Sequence, residues 1–214
     1  LRRLTLRLQF LAALGDRLYF TARDERGIVR LFSTDGTPTG LRRLVPPFEP
    51  GTPAGFDAVS PRQPRSLTLA GDGRTVFFTA TDDRHGREVW ATDGTPEGTR
   101  LVRDVREGTA DLGVWSFAPY AAGVLFAAHD GTGATIFFSD GTSAGTYRFF
   151  DPTALLASSE VWGFRWMDVA GQLHCVVNEG IFRVVPEGLE RVPFEPGVPS
   201  SIVRYPFGSG PIYG

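Results

Sequence analysis

Histidine and cysteine, two residue types that commonly carry out catalysis, are few in this sequence. There are three histidines, His85, His129 and His174, and a single cysteine, Cys175. General-base catalysis requires a histidine beside a nucleophile and an orienting acid, and a metal site usually requires three or more ligands. No histidine stands at such a spacing, and Cys175 occupies a position that similar stretches of the chain fill with phenylalanine. We therefore predict no catalytic and no metal-ligating residue.

Aspartate recurs in one short motif, and carboxylates at a fixed spacing could bind calcium. Each copy contains Asp-Gly-Thr, and the copies are LFSTDGTPTGL at 31–41, VWATDGTPEGT at 89–99 and IFFSDGTSAGT at 136–146. A calcium loop needs several oxygen ligands close together, as in D-x-[DN]-x-[DN]-G, whereas each copy offers one. Aspartate before glycine also closes tight turns, because it accepts backbone hydrogen bonds while the glycine takes a positive φ. We predict that Asp35, Asp93 and Asp140 are structural turn residues and that no cofactor is bound, with calcium as the alternative.

The aromatic residues divide into those that recur and those that do not. Trp90 fills the same motif position as Phe32, Phe137 and Phe182, so we predict that it packs in the core. Aromatic side chains without equivalents could instead stack on a sugar or a protein partner, and these candidates are Trp115, Trp162, Trp166, Tyr120 and Phe56. We predict that Trp115 and Trp162 lie in connections between repeats, and Phe56 in a Pro-rich insertion at 46–65. The alternative is that these rings cover the edge of the core.

These candidates are carried by a chain that repeats itself. A second stretch precedes each Asp-Gly-Thr motif, and its copies are LYFTA at 18–22, VFFTA at 76–80, LFAAH at 125–129 and a degenerate LHCVV at 173–177. The repeats cover approximately 9–45, 66–105, 117–151 and 164–194. In the second repeat, turn chemistry and the β-branched and aromatic residues predict short strands at 66–70, 75–80, 88–92 and 99–105. The sequence therefore predicts an all-β chain, with residues 1–214 forming one domain or a slice of one.

Four-stranded units repeated at this period are typical of a β-propeller. In that fold, four-stranded antiparallel blades pack face to face around a central channel. A β-sandwich is the alternative, but sandwiches rarely repeat their turns in register. The propeller predicts that one recurring position is buried in every blade, and its residues are Phe20, Phe78, Phe126 and Cys175.

The second repeat also carries a resemblance to a known family. VWATDGTPEGTRLVRDV at 89–105, preceded by TVFFTATDDRHGRE, resembles the bacterial ELWxxDGT repeat family. The first and third repeats match well and the fourth has lost the motif; Val89, Phe32, Phe137 and Leu41 depart from the family pattern. The resemblance implies a propeller that is exported or lipid-anchored, hence an extracellular or cell-envelope location. It implies no catalytic role for any motif position.

The two ends of the chain carry pieces of the same repeat. LRRL at 1–4 matches LRRL at 41–44, and FGSGPIYG from Phe207 resembles LGDRLYF from Leu14. We expect half blades in the end pieces at 1–8 and 201–214. Either the chain is a slice of a longer propeller, which we favour, or the end pieces pair with each other and close a ring of five.

Composition excludes several kinds of partner. The formal net charge is -2 and the basic residues are scattered, which argues against nucleic acid. No apolar run approaches the ~20 residues of a membrane-spanning helix. We predict a noncatalytic binding or interaction module with a protein or carbohydrate partner. A fragment of a propeller-fold hydrolase or lyase is the alternative.

Overall fold

The computed structural model describes residues 10–23, 29–44, 67–82, 84–152, 161, 164–178 and 180–193. Its strands are β1 (Phe10–Leu14), β2 (Arg17–Arg23), β3 (Val29–Thr34), β4 (Arg42–Arg43), β5 (Thr68–Leu69), β6 (Val76–Thr81), β7 (Arg87–Thr92), β8 (Arg100–Leu101), β9 (Gly113–Tyr120), β10 (Gly123–His129), β11 (Ala134–Ser139), β12 (Thr146–Phe150), β13 (Arg165–Val169), β14 (Gln172–Val177), β15 (Gly180–Val185) and β16 (Gly188–Arg191). They form four antiparallel sheets, β1–β4, β5–β8, β9–β12 and β13–β16, each with its strands in chain order. The predicted end pieces lie outside the described residues.

Consecutive sheets pack face to face. Alternate side chains of a strand point to opposite faces of its sheet, so each sheet can contribute apolar side chains to both of its neighbours. The first sheet meets the second through Tyr19, Leu31, Phe78 and Trp90. The second meets the third through Phe77, Val89, Phe126 and Phe137. The third meets the fourth through Leu125, Ile136, Cys175 and Phe182. The first strand of blade 3, β9, contacts the first strands β5 and β13 of the sheets on either side of it, which places these first strands innermost. This is the predicted β-propeller, and the four sheets are its blades 1 to 4.

The recurring core position is confirmed in every blade. This position lies on the second strand of each blade, directly opposite the recurring aromatic position of the third strand. The pairs are Phe20–Phe32, Phe78–Trp90, Phe126–Phe137 and Cys175–Phe182. All eight side chains are buried. Burial raises the pKa of the Cys175 thiol to about 12, so it stays protonated and behaves as a small apolar core residue.

The Asp-Gly-Thr motif closes the hairpin between the third and fourth strands. Asp93 Oδ1 accepts hydrogen bonds from the amide of Thr95 at 2.9 Å and from its hydroxyl at 2.7 Å, and Asp35 and Asp140 make the same pair of bonds. Gly94 has a φ of 90°. A Cβ on Gly98 would stand 2.1 Å from the Asp93 carboxylate, so the last position of the motif also requires glycine. Burial alone would raise the pKa of Asp93, but the hydrogen bonds from Thr95 hold it below its usual value.

The same turn also joins neighbouring blades. Ser33 Oγ of blade 1 donates to the carbonyl of Gly94 in blade 2 at 2.7 Å. Arg100 Nε of blade 2 donates to the equivalent carbonyl, that of Gly141 in blade 3, at 2.9 Å. Blade 4 has only the two-residue turn 186–187 between the paired Val185 and Gly188. We call each of the two bonds a turn joint.

We expect Asp93→Ala to lower the free energy of unfolding by roughly 0.5 to 2 kcal/mol, as the loss of other side-chain caps does. Urea denaturation measures the change, and ligand binding should be unaffected. Glu97→Ala is the matched control, because Glu97 is exposed in the same turn and should cost less than about 0.5 kcal/mol. If a chelator lowered the melting temperature of the unsubstituted chain as much as Asp93→Ala does, a calcium site would replace the structural turn.

Candidate functional site

One end of the propeller carries the connections between blades and the hairpins between second and third strands. In blade 2, the hairpin at 82–86 is bonded to the connection at 102–112. The amide of Gly86 donates to the carbonyl of Gly108 at 3.0 Å, and the amide of Leu112 donates to the carbonyl of Arg87 at 2.7 Å. Strand β7 begins here and runs toward its Asp-Gly-Thr turn, so we call this the connection end and the opposite one the turn end.

His85 is held between two carboxylates at the connection end. Its Nδ1 lies 2.8 and 2.9 Å from the two carboxylate oxygens of Asp82, and its Nε2 lies 3.9 Å from Asp104 Oδ2. The amides of Arg84 and His85 also donate to Asp82 Oδ1, so Asp82 closes an Asx-type turn. Burial would raise the pKa of Asp82, but these bonds hold it below its usual value. Among the contacts of the described residues, no hydroxyl or thiol stands against the imidazole of His85.

Glu88 is a buried carboxylate beside this histidine, and the sequence analysis missed it. It is 0% exposed, and its carboxylate accepts hydrogen bonds from the amides of Arg106 at 3.0 Å and Val105 at 3.4 Å. Burial, with a smaller contribution from the charge of Asp104, raises the pKa of Glu88 to about 7. The sequence does mark Glu88 in one way: it is an acid at a strand position that the other repeats fill with Arg30, Thr135 and Gly180. Its contacts attach the connection to blade 2.

Three aromatic rings form a row across the innermost strands of blades 3 and 4. Trp115 in β9 stacks on Phe164 with ring centroids 6.3 Å apart and an interplanar angle of 10°. Phe164 in turn contacts Trp166 in β13, at 5.3 Å and 48°. Both tryptophans are half-buried against the core between these blades. This aromatic row leaves part of each indole accessible.

Two polar groups beside the aromatic row lack hydrogen-bond partners among the described residues. They are Ser116 Oγ, in a residue that is 4% exposed, and Trp166 Nε1. Ser116 is opposite Ala127, whose side chain lies in the core between blades 3 and 4, so Ser116 faces the side of blade 3 where Trp166 lies. Buried polar groups without partners are costly, and a ligand hydroxyl could satisfy them.

The structure places the five candidate aromatic residues in different parts of the molecule. It brings Trp115 and Trp166 together. Tyr120 lies at the other end of β9, about 16 Å further along an extended strand. Trp162 and Phe56 lie outside the described residues. The prediction that Trp115 occupies a connection is wrong: β9 already begins at Gly113, and the bulge between Ala127 and Ala128 makes Trp115 the extra residue of its strand.

Two further observations bear on metals and membranes. No group of three or more His, Cys, Asp or Glu side chains is arranged to hold a metal ion in the parts of the chain that the structure describes. In those parts there is also no helix long and apolar enough to cross a membrane.

Comparison with solved structures gives matches of low identity over most of the chain. An alpha-L-arabinofuranosidase from Clostridium thermocellum is 13% identical with a TM-score of 0.36, over 86% of this chain and 71% of the enzyme. A puromycin-hydrolyzing peptidase of Mycobacterium tuberculosis is 14% identical with a TM-score of 0.37, over 88% of this chain but only 39% of the peptidase. No protein-family model matches the sequence, and no curated protein matches it. The two activities belong to those enzymes and carry no argument about this chain.

Proposed function

We propose that this chain is a noncatalytic binding module that holds a protein or glycan partner at the aromatic row. The observation that carries the proposal is the row itself, Trp115, Phe164 and Trp166, shared by the innermost strands of two blades. Indole faces supply a large apolar contact with a polar edge, which suits stacking on a sugar ring.

The unpartnered polar groups favour a glycan over a protein. Ser116 Oγ can donate and accept a hydrogen bond, and Trp166 Nε1 can donate one. Both atoms are buried, so a sugar hydroxyl reaches them only when the side chains over them shift, while the C–H groups of the sugar pack on the indoles. A site that combines an apolar face with a few fixed polar groups is typical of small-ligand recognition.

The competing proposal of a hydrolase or lyase is considered for the acids at the connection end, Glu88 and Asp82. Glu88 has the raised pKa that a general acid needs, but it is fully buried and accepts two backbone hydrogen bonds. The carboxylate of Asp82 is occupied by its own turn and by His85. These contacts support a role in attaching the blade connection, and we therefore favour binding.

We further propose that the repeats belong to the ELWxxDGT type and that the chain works outside the cytoplasm, as a secreted or cell-envelope protein. Support comes from the motif, in which aspartate, both glycines and the threonine each make a distinct structural contribution. Fractionation of the native host cells tests the location. Recovery of the protein in the cytoplasmic fraction would contradict it.

A glycan array followed by calorimetric titration with the best hit tests the binding proposal. We expect Trp166→Ala and Trp115→Ala each to weaken binding by at least ~2 kcal/mol, about thirtyfold, because stacked tryptophans are frequent hot spots. Ser116→Ala should weaken it less, because one hydrogen bond is lost.

Tyr147→Ala is the matched control, since it removes an exposed aromatic side chain at the turn end. It should leave glycan affinity unchanged. Circular dichroism and thermal melting verify that each variant is folded. The proposal is wrong if the tryptophan variants remain folded and bind the hit as tightly as the unsubstituted chain, or if only protein partners from a parallel protein array bind and do so independently of both tryptophans.

A further inference from the structure

Four aromatic rings meet at the turn end of blade 3, far from the aromatic row. Tyr120 contacts Phe138 at 6.3 Å and Phe149 at 5.8 Å between ring centroids, both edge to face, and Phe138 contacts Tyr147 at 5.4 Å. We call these four residues the aromatic patch. They lie on the side of blade 3 that faces blade 4.

The aromatic patch stands where the other blades build a turn joint. Tyr147 occupies the position of Arg100, and Phe138 the position of Ser33, the two residues that donate to the following blade. The acceptor has been lost as well, because blade 4 has no Asp-Gly-Thr turn. Both halves of the joint are thus replaced at one junction.

The short turn of blade 4 leaves Tyr147 exposed and the other three rings of the aromatic patch half-buried. In blades 2 and 3 the long turn reaches the preceding blade, where a Cβ on Gly141 would stand 3.5 Å from Phe77. In blade 4 the turn lies against Phe150 instead, since a Cβ on Gly188 would stand 2.5 Å from that ring. Tyr147 is consequently 49% exposed, which is unusual for a large aromatic side chain within a cluster.

One acidic side chain, Glu187, acts on the aromatic patch through its charge. Burial raises the pKa of the Tyr120 phenol, and Tyr147 and then Glu187 raise it further. Glu187 is an exposed residue of the short turn of blade 4, next to Gly188, which lies against Phe150. Aromatic faces are themselves the negative part of the ring quadrupole. Rings and carboxylate together favour a positively charged group.

We propose that the aromatic patch binds an organic cation of the trimethylammonium type. Ammonium and guanidinium groups of Lys and Arg carry three and five N–H donors, each of which needs an acceptor when water is displaced. A trimethylammonium group has no N–H donor, and its methyl groups carry the charge to the ring faces. Four rings and one carboxylate supply what such a group needs. This site is independent of the glycan site at the aromatic row.

Titration of the 214-residue chain with choline, by calorimetry and saturation-transfer NMR, tests the proposal. We expect a Kd of about 1 to 10 mM, as for a ligand of very few atoms. The neutral isostere 3,3-dimethylbutan-1-ol has the same shape without the charge and should bind roughly tenfold more weakly. Phosphocholine and N,N,N-trimethyllysine are tested in parallel. Tighter binding of the first indicates that the trimethylammonium group belongs to a lipid headgroup, and tighter binding of the second that it belongs to a methylated lysine side chain.

Variants locate the site. Tyr147→Ala should weaken choline binding roughly tenfold, whereas Tyr147→Phe keeps the ring and should retain it. Glu187→Gln should weaken binding and reduce its dependence on salt, while Glu190→Gln, an exposed acid of the same hairpin that pairs with Arg183, should not. Trp115→Ala should leave choline binding intact. Equal binding of choline and its neutral isostere, no saturable choline binding, or unchanged affinity in Tyr147→Ala would each overturn the proposal.

Discussion

Replacing Trp90 by alanine is expected to lower the free energy of unfolding by about 3 to 5 kcal/mol, the largest effect of any single change considered. Trp90 is 5% exposed and lies in the core between blades 1 and 2, opposite Phe78. Truncation removes the buried ring and leaves a cavity that the surrounding β-strands can close only in part. Urea denaturation followed by far-ultraviolet circular dichroism measures the loss.

Two further variants are compared with Trp90→Ala. Trp90→Phe should cost less than about 1.5 kcal/mol, because phenylalanine fills the equivalent position in the other three blades. Trp115→Ala should cost about 1 to 2 kcal/mol, because Trp115 is only half-buried. If Trp115→Ala unfolds the chain as severely as Trp90→Ala, then Trp115 is a core residue and the aromatic row loses its claim to be a binding site.

Glu88 should make the stability of the chain fall as the pH rises from about 4.5 to 7. Its pKa is about 7 in the folded chain, against 4.5 for an ordinary glutamate. Between these values the folded state keeps a proton that the unfolded state has released, so raising the pH favours unfolding. The stabilisation is complete below 4.5 and lost above 7, and amounts to on the order of 1 to 3 kcal/mol once solvent screening is allowed for.

Glu88→Gln removes the titrating group and should flatten the stability profile in this range. Denaturant titrations at several pH values between 4.5 and 8 measure both profiles. Glu97→Gln, at an exposed position of the same blade, is the matched control and should keep the slope of the unsubstituted chain. Asp82 and Asp93, whose pKa values are lowered, lose their contribution only below the range tested. The assignment to Glu88 fails if the glutamine variant retains the slope.

The fold could be predicted because its determinants are local and recur. Two-residue alternation along each strand places Phe78, Trp90, Phe126 and Phe137 on buried faces, and the same position in the repeat identifies Cys175 as a core residue in spite of its different chemistry. The Asp-Gly-Thr turn is likewise contained within a few residues. Repetition then reveals which positions the structure requires.

The site was harder to predict because its contacts are not local. The amides of Val105 and Arg106 bind Glu88 through the backbone, so no side-chain pattern marks them. Trp115 was misplaced because the third repeat was predicted to begin at about 117, whereas β9 begins at Gly113 and carries one extra residue. Tyr147 and Phe138 differ visibly from Arg100 and Ser33, but the meaning of that difference depends on the neighbouring blade. Comparing the sequences of two repeats does not show which residues of the neighbouring blade a side chain contacts.

The turn joints have an evolutionary consequence. One repeat contains both the residue that donates to the following blade and the glycine carbonyl that accepts from the preceding blade. In blade 2 these are Arg100 and Gly94. Duplicating such a unit supplies both halves of a new joint at once, so a propeller can lengthen by copying without inventing an interface. Among the described residues, there is no turn joint at the junction between blades 3 and 4, because both the donor and the acceptor have been replaced. A copy of blade 3 would therefore bring no turn-joint donor for the blade that follows it.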